Sequence, residues 1–520
     1  MSVTLGLRRS ARVNRNGMAI SRGAYSLTWV ALRDRVARLA GGLSGIGVRP
    51  GDRVAILGFN SVPYFEAMFA VPWAGGVMVP LNTRLAKAEL VYQLHDSGAM
   101  VLLVDQAHFA VARQLAADIR GLAIVSLDGD ASAVTSGSLS WSAWAEWSSP
   151  REDAECDRDS TAGIFYTGGT TGRAKGVMLS HANVLHNVAN LMPHLRFGPA
   201  TRCLHVAPMF HIADSLAIYG VTVSAGQHFF IPKFDIPQFL EIVEAERINF
   251  TTLVPTMIKM LLDDPTFDPR KLAGLTDLFY GGSAMPEPVL QRAMFKLPAL
   301  RLHQGYGLTE TSPTATYLSP EQHRMAAQGV LRSGSAGQQV YGVDVAIMDE
   351  TGASLPTSSV GEICIKGPTV MQGYWCLPEM STQAFHGAWF RTGDIGSMDE
   401  DGFLYVIDRA KDMIISGGEN IYSGEVENVL LEHASVLECA VIGRPDERWG
   451  EKVHAVIRLR PGVIVSEEEL TEHCRGLLAG YKCPRSFEFR EKPLPLSGAG
   501  KILKSVLKQE IATQVRGAET

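Results

Sequence analysis

Apolar residues at helical spacing alternate with short, uninterrupted apolar runs along the first part of the chain. Thr28 can cap a helix whose apolar face is Leu32, Val36, Leu39 and Leu43. The apolar runs that follow predict strands at residues 54–57, 77–79 and 101–104. Runs without polar alternation are typical of strands that are covered on both faces. This rhythm therefore predicts a parallel α/β sheet with right-handed crossovers.

The same rhythm continues through the middle of the chain. The predicted strands there are residues 204–207, 229–231, 249–254, 278–280 and 301–304. Several of them end in Gly, Ser, Thr or His. Since ligands of open α/β sheets gather at the carboxyl ends of the strands, we expect these ends to form one site.

Short strands with turn residues replace this pattern from about residue 337, which predicts a β-rich subdomain over 337–408. A compact α+β unit follows, in which Ser423 is expected to cap a helix, as Ser180 is expected to do after the glycine-rich stretch earlier in the chain. The predicted architecture is α/β. A large N-terminal domain, residues 1–410, contains parallel α/β sheets and the β-rich subdomain, and 411–520 form a small, mobile α+β domain.

Composition narrows the functional classes. The chain has 520 residues and a net charge of -6, which argues against general nucleic-acid binding. The most apolar window, residues 62–80, contains Glu66, Pro72 and Gly75, so we expect no integral membrane segment. Seven dispersed Cys without a C-x-x-C pair fit a reducing compartment. With no signal peptide visible, the expected location is the cytoplasm.

The stretch YTGGTTGRAKG, residues 166–176, packs three Thr, four Gly and one Lys into eleven residues. Glycines allow a tight backbone whose N–H groups converge on an anion, and the hydroxyls and the ammonium group add donors. This chemistry suits a polyphosphate, although the stretch is not the Walker pattern. A Gly/Thr-rich hairpin turn without a ligand is the alternative.

Five segments together resemble one family. They are YTGGTTGRAKG, YGLTE (306–310), RTGD (391–394), DRAKDMIISGGENI (408–421) and SGAGKILK (497–504). Their order and spacing resemble those of the adenylate-forming superfamily, and the resemblance covers nearly the whole chain. Such enzymes use ATP to convert a carboxylic acid into an acyl-adenylate, which a thiol then attacks. Their catalysis should rest mostly on positioning and charge stabilisation.

The resemblance implies a role for each matching residue on the ATP side. The residues expected to hold the β- and γ-phosphates are Thr167, Gly168, Gly169, Thr170, Thr171 and Lys175. Gly168 stands where many relatives have Ser. Thr309 is expected at the α-phosphate, and Glu310 is expected to ligate Mg²⁺, whose other ligands would be phosphate oxygens and water.

A second set of residues is expected to contact the nucleoside of ATP. Asp394 and Arg409 match the residues that bind the ribose, and Tyr306 matches the one that stacks on adenine. The other residues expected in the ATP site are Gly282, Ser283, Ala284, Gln304, Gly305 and Gly307. His211 matches a position near the carboxylate under attack, with a core histidine as the alternative.

Lys501 matches the lysine that bridges the carboxylate and the α-phosphate, and it also belongs to the expected ATP site. Its place on the small domain implies that this domain closes for adenylation and rotates afterwards about a hinge at Lys411. The residues then expected to bind coenzyme A are Ser416, Gly417, Gly418 and Trp449. Lys504 stands where Arg is frequent, so the positive charge is kept.

The expected activity is ATP-dependent formation of an acyl-CoA, with a medium- or long-chain fatty acid as the favoured substrate. Segments expected around the acid, such as 209–214, contain no Lys or Arg, which favours an apolar tail. His211, with Asp214 the one nearby acid, argues against an amino-acid substrate. The alternatives are an aryl- or phenylpropanoid-acid CoA ligase, a stand-alone enzyme that loads a carrier protein, and a catalytically silent nucleotide-binding protein. A homodimer is one expected assembly.

Overall fold

A computed structural model describes residues 2–22, 25–128, 139–168, 173–409, 412–416, 419–446, 448–496 and 502–518 of the protein. The first helices are α1 (Leu5–Val13), α2 (Trp29–Gly45), α3 (Val62–Trp73), α4 (Lys87–Ser97), α5 (Phe109–Asp118), α6 (Trp141–Trp147) and α7 (His181–Leu191). The strands among them are β1 (Met18–Arg22), β2 (Tyr25–Thr28), β3 (Arg53–Leu57), β4 (Val77–Pro80), β5 (Val101–Val104), β6 (Ala123–Ser126), β7 (Leu139–Ser140), β8 (Thr161–Thr167) and β9 (Lys175–Ser180).

The middle of the chain repeats strand and helix as predicted. Its strands are β10 (Arg202–His205), β11 (Gln227–Phe230), β12 (Phe250–Leu253), β13 (Asp277–Gly281), β14 (Arg301–Tyr306), β15 (Thr316–Leu318) and β16 (Gln338–Gln339). Its helices are α8 (Ile236–Ala245), α9 (Pro255–Asp263), α10 (Glu287–Lys296) and α11 (Pro320–Ala327).

Strands dominate from residue 344 onward. They are β17 (Asp344–Met348), β18 (Gly361–Lys366), β19 (Gly373–Tyr374), β20 (Phe385–His386), β21 (Trp389–Met398), β22 (Leu404–Arg409), β23 (Ile414–Ser416), β24 (Glu419–Ile421), β25 (Val436–Asp446), β26 (Gly450–Leu459) and β27 (Ser486–Phe489). The helices are α12 (Pro378–Gln383), α13 (Ser423–Glu432), α14 (Glu467–Leu477) and α15 (Lys504–Ala518).

The strands form four sheets in the described part of the chain. One has nine strands in the order β16-β15-β14-β13-β12-β10-β11-β1-β2, and another has eight in the order β19-β9-β8-β4-β3-β5-β6-β7. The third combines β17, β18, β20, β21 and β22, and the fourth combines β23 to β27. The predicted α/β class is therefore confirmed, with a β-rich part and a small α+β part.

The two large sheets are mixed rather than wholly parallel. Their central pairs are parallel, whereas β8 and β9, β14 and β15, and β1 and β2 are antiparallel. Each of these pairs is joined by a short connection, and a parallel crossover needs a dozen or more residues. The prediction of parallel sheets thus holds for the interior of each sheet and for the β7 edge, and it fails at both edges of the nine-stranded sheet and at the β9 side of the eight-stranded one.

Local capping follows the sequence at two of three predicted sites. The hydroxyl of Thr28 accepts from the amide of Ala31 and begins α2, and Ser180 begins α7 in the same way. The third prediction, a cap by Ser423, is wrong. Ser423 is the first residue of α13, and its hydroxyl donates to Asp408, 2.7 Å away. The carboxylate of Asp408 also accepts from the amide of Gly424 and so replaces the local cap.

Candidate active site

The chain turns sharply after β14, at the edge where the carboxyl ends of the central strands meet. Gly307 has φ +158°, and a Cβ there would lie 2.0 Å from the carbonyl oxygen of Pro313. Only glycine fits this approach. The turn leads into a short 3₁₀ segment, Thr309–Thr311. It thereby sets Thr309 and Glu310 directly beside the end of the strand.

Tyr374 connects Glu310 to the glycine-rich stretch. The Tyr374 hydroxyl donates to Oε1 of Glu310 over 3.0 Å, and Nζ of Lys175 lies 4.4 Å from the centre of the Tyr374 ring. β19 carries Tyr374 to this place by pairing with β9, in which Tyr374 is opposite Val177. Nothing in the sequence singles out Tyr374, because β19 is two residues long and carries no motif.

The glycine-rich stretch joins two antiparallel strands. Thr167 at the end of β8 is paired with Lys175 at the start of β9, so both residues stand at the base of one loop. Gly168 is exposed, with open space where a Cβ would be. Gly169, Thr170 and Thr171 lie outside the described residues. The backbone is thus a hairpin, and the phosphate-binding role stays a prediction.

Asp394 brings together two other residues predicted for the ATP site. The hydroxyl of Tyr306 donates to Oδ2 of Asp394 over 2.9 Å, and Nε of Arg409 lies 3.2 Å from Oδ1. Asp394 and Arg409 are paired neighbours of β21 and β22. Burial, and then the charge of Asp394, raises the pKa of Tyr306 well above its usual value, so the phenol stays protonated and donates.

Two glycines leave bare backbone between β13 and β14. Gly281 is paired with Gly305, and a Cβ on Gly281 would lie 2.5 Å from the Gly305 carbonyl oxygen. The adjoining Gly282 has φ +82°, with Ser283 partly buried and Ala284 exposed after it. The side chain of Gln304 accepts a hydrogen bond of 2.9 Å from the hydroxyl of Tyr280. The hydroxyl of Tyr280 therefore holds the side chain of Gln304, a residue predicted for the ATP site.

His211 lies in the segment between β10 and a short 3₁₀ turn, Ile212–Asp214. Its ring is 4.5 Å from the ring of Phe210. Asp214 is 1% exposed, and its carboxylate is 2.6 Å from Nδ1 of His205. Asp235 accepts from the amide of Gln238 and caps α8. The nearby acid Asp214 and the more distant Asp235 are thus both engaged within the protein.

The residues predicted to bind coenzyme A lie around β23 and β26. Ser416 is buried and is paired with Gly450, the residue after Trp449. The guanidinium groups of Arg448 and Arg485 lie 4.8 and 4.6 Å from the Trp449 ring. Two positively charged side chains therefore lie beside the Trp449 ring. The contact with Arg485 could not be predicted, because Arg485 is distant from Trp449 in the sequence. Gly417 and Gly418, with Lys411 and Lys501, lie outside the described residues.

Glu310 is the carboxylate predicted to ligate Mg²⁺. In the described ranges, no group of three or more His, Cys, Asp or Glu side chains could hold a metal ion. Glu310, 8% exposed, fits the alternative, since Mg²⁺ is commonly bound by one or two carboxylates together with substrate phosphates. No helix in the described part of the chain is long and apolar enough to cross a bilayer.

The fold, with its paired large sheets and a small α+β unit, is that of the adenylate-forming superfamily. The chain belongs to the AMP-binding enzyme family: the model of that family matches residues 7–375, and the model of the AMP-binding enzyme C-terminal domain matches 425–501. The superfamily inferred from the five motifs is therefore confirmed.

Individual relatives extend over nearly the whole chain. A feruloyl-CoA synthase of Amycolatopsis sp is 39% identical over 96% of this chain and 97% of its own length. The long-chain-fatty-acid–CoA ligase FadD13 of Mycobacterium tuberculosis is 33% identical over 94% of each chain. Among solved structures, ATP-bound MatB from Rhodopseudomonas palustris has a TM-score of 0.88 and 30% identity, covering 98% of this chain and 99% of its own. The protein is thus an AMP-forming acid–thiol ligase that uses ATP and CoA.

Proposed function

We propose that the acid activated by this ligase is an aryl or phenylpropanoid acid of the feruloyl type. The feruloyl-CoA synthase named above is more similar to the chain than the fatty-acid ligase, 39% against 33% identity. This proposal replaces the sequence-based preference for a fatty acid. It takes up the aryl-acid alternative that the sequence analysis left open.

The observation that carries the proposal is this difference in identity, which extends over at least 94% of every chain compared. The structure adds a pair of glycines, Gly281 and Gly305, at the ends of β13 and β14, where neither residue projects a side chain. Met209, Phe210 and Ile212, each at most 7% exposed, supply apolar surface nearby.

The charges around the pocket fit a monocarboxylic acid. Asp214 is committed to His205 and Asp235 to α8, so neither is available for the ammonium group of an amino acid. The segments predicted around the acid contain no Lys or Arg for a second carboxylate. An uncharged ring or chain beyond the reacting carboxylate satisfies both conditions.

The chemistry proceeds in two displacements. The carboxylate oxygen attacks the α-phosphorus of ATP, and pyrophosphate leaves. The thiolate of CoA then attacks the acyl carbonyl carbon, and AMP leaves. We assign Thr167 to Thr171 and Lys175 to the departing phosphates, Thr309 to the α-phosphate, and Asp394 and Arg409 to the ribose. Mg²⁺, held by Glu310, would supply positive charge to the phosphates.

The two half-reactions are assigned to two arrangements of the chain. The proposed domains are 1–410 and 411–520, with Lys411 as the hinge. Lys501 would enter the site for adenylation, where a cation offsets repulsion between two anions. Ser416, Gly417, Gly418 and Trp449 would take its place for thioester formation. The arginines beside Trp449 support this assignment, because CoA carries three phosphate groups.

A screen of pyrophosphate release tests the substrate class. Ferulate, coumarate, cinnamate, benzoate, decanoate and palmitate are compared at saturating ATP, Mg²⁺ and CoA. We expect kcat/KM for the best phenylpropanoid acid to exceed that for either fatty acid by about tenfold or more, which corresponds to about 1.4 kcal/mol. A higher kcat/KM for decanoate or palmitate would overturn the aryl-acid assignment and leave the ligase class intact.

A further inference from the structure

The segment that carries His211 is closed at its base by a buried hydrogen bond. Nδ1 of His205, the last residue of β10, lies 2.6 Å from Oδ2 of Asp214, the last residue of the 3₁₀ turn. The side chains are 0% and 1% exposed. The eight residues between them contain Met209, Phe210 and His211. The bond therefore joins the two ends of the loop that faces the acid.

The bond continues into the protein as a chain of polar groups. Nε2 of His205 lies 2.9 Å from Nδ1 of His228, and Nε2 of His228 lies 3.2 Å from the hydroxyl of Thr222. The Thr222 hydroxyl in turn lies 2.5 Å from the carbonyl oxygen of Ile218. Ile218 belongs to a π-helix, Leu216–Val221, which follows the loop directly. Such segments are frequent at functional sites.

The direction of each hydrogen bond in this series follows from its last group, the carbonyl oxygen of Ile218. A carbonyl oxygen can only accept, so the Thr222 hydroxyl donates to Ile218, and Nε2 of His228 must donate to Thr222. Burial lowers the pKa of His228 well below its usual value, so this ring is neutral and its Nδ1 accepts. Nε2 of His205 is then a donor.

One more proton lies between His205 and Asp214. Asp214 raises the pKa of His205 against the effect of burial, so the pair holds a proton on Nδ1 as well. Among the described residues, the other titratable group at His205 is the thiol of Cys203, whose pKa is raised by burial. The group of Asp214, His205 and His228 is thus electrically neutral overall. Removing one partner would leave an uncompensated charge in the interior, which is strongly destabilising, so the two side chains depend on each other.

A second anchor holds the same loop from another element. The side-chain amide of Asn60 donates to the carbonyl oxygen of Ala207 over 2.9 Å, and its oxygen accepts from the amide of Met209 over 2.8 Å. The ring of Phe230 stacks on that of His205 at 4.9 Å. The loop is therefore held at both ends and in its middle, and His211 is partly exposed between the buried Phe210 and Ile212.

We propose that Asp214 and His205 are positioning residues that fix the Phe210–Ile212 segment against the acid. This inference rests on the proposed function and on the predicted place of His211 near the carboxylate under attack. Neither residue touches the reacting atoms. Their neutral pair determines where the loop stands, and so how well a given acid is aligned for attack on the α-phosphorus.

The test compares Asp214→Asn with Asp277→Asn. Asp277 is a partly buried carboxylate that also contacts a histidine, with 2.8 Å between its Oδ1 and Nε2 of His303, and it pairs with Arg301 as well. It begins β13, at the opposite end of the strands from the site. In Asp214→Asn we expect kcat/KM for the acid to fall about 10- to 100-fold, because misplacements near 1 Å have effects of this size. The KM for ATP should stay within about twofold. Asp277→Asn should leave both values near those of the wild type.

Each outcome of the comparison is informative. Wild-type kinetics for the acid in Asp214→Asn would overturn the inference, as would an equal loss in both variants. If Asp214→Asn does not fold, Asp214→Glu keeps the charge and lengthens the side chain. That variant should bind ATP, shown by a thermal shift, while its acid KM rises, and an unchanged KM would overturn the inference. The acid used is the best one for the wild type, so a failed aryl-acid assignment does not obscure the result.

Discussion

Two carboxylates with little solvent exposure are held in different ways in this protein: Glu310 is 8% exposed, and the side chain of Glu427 is 19% exposed. Glu310, in the large domain, receives a hydrogen bond from the neutral hydroxyl of Tyr374. Glu427, in the small domain, has Nζ of Lys504 at 2.7 Å and also accepts from the amide of Val441. A hydroxyl orients a carboxylate and leaves its charge for an incoming cation, whereas a buried ammonium group neutralises it. The first arrangement suits a ligand site, and the second holds the fold together.

The lysine of the second arrangement also reaches the junction between the two parts of the chain. Nζ of Lys504 is 2.5 Å from the hydroxyl of Ser423, which donates to Asp408. Asp408 lies in β22, near the proposed hinge, and Lys504 is three residues after Lys501. Breaking this group should therefore affect stability first.

The largest effect is expected for Lys504→Met. Removing one partner of a buried ion pair typically costs about 3–5 kcal/mol, because the other charge is left without compensation. Hydrogen exchange of the α13 and β25 amides measures the free energy of local opening. The double variant Lys504→Met/Glu427→Gln is the matched control and should recover most of the loss. Slow exchange in the single variant, as in the wild type, would contradict this account of Glu427.

The same variant should depend on pH in a defined direction. Burial raises the pKa of Glu427, so in the absence of the lysine the folded state favours the protonated acid. Stability is then greatest below the ordinary pKa of Glu and is lost as the pH rises through the folded pKa. The deficit of Lys504→Met should thus grow from pH 5 to pH 8. A deficit that shrinks over this interval would show that Glu427 is not the group left uncompensated.

The next largest effect is expected for Glu310→Gln. The amide oxygen can still accept from Tyr374, so the fold should be retained, but the charge offered to Mg²⁺ is lost. We expect pyrophosphate release to fall about 10²- to 10³-fold, the range found when one group that stabilises transition-state charge is removed. The Mg²⁺ concentration for half-maximal rate should rise. A variant with the wild-type Mg²⁺ dependence would exclude Glu310 as the ligand.

These contrasts explain which parts of the molecule could be predicted from sequence. Helix α2 and the strands of the sheet interiors follow from apolar spacing, which the structure confirms at Leu32, Val36 and Leu39, all fully buried. Glu310 and Asp394 were found because each lies in a contiguous motif. The tyrosines that donate to them differ in how far the sequence reveals them. Tyr306, the partner of Asp394, belongs to a motif, but Tyr374 reaches Glu310 only because β19 joins the edge of a sheet.

Polar pairing at long range accounts for the wrong or missing predictions. Ser423 has the residue type of a helix cap, but Asp408 and Lys504 occupy its hydroxyl. Asp214 was noted only as an acid near the pocket, since nothing in the sequence indicates that His205 takes it. Such pairs depend on which side chains the packed sheets bring within 3 Å of each other. Local propensity carries no information about that distance.

The smallest effect is expected for loss of the Tyr374 hydroxyl, and it separates the two hydroxyl-held carboxylates. Tyr374→Phe keeps the ring beside Lys175 and removes one hydrogen bond to Glu310, a change worth about 1 kcal/mol or about fivefold in rate. Tyr306→Phe removes the corresponding bond to Asp394 and is the matched control. We expect the first variant to need more Mg²⁺ at unchanged ATP KM, because Glu310 is less well oriented. The second should raise the KM for ATP at unchanged Mg²⁺ dependence, because Asp394 is assigned to the ribose. If both variants changed the same parameter, Glu310 and Asp394 would not serve separate parts of the nucleotide.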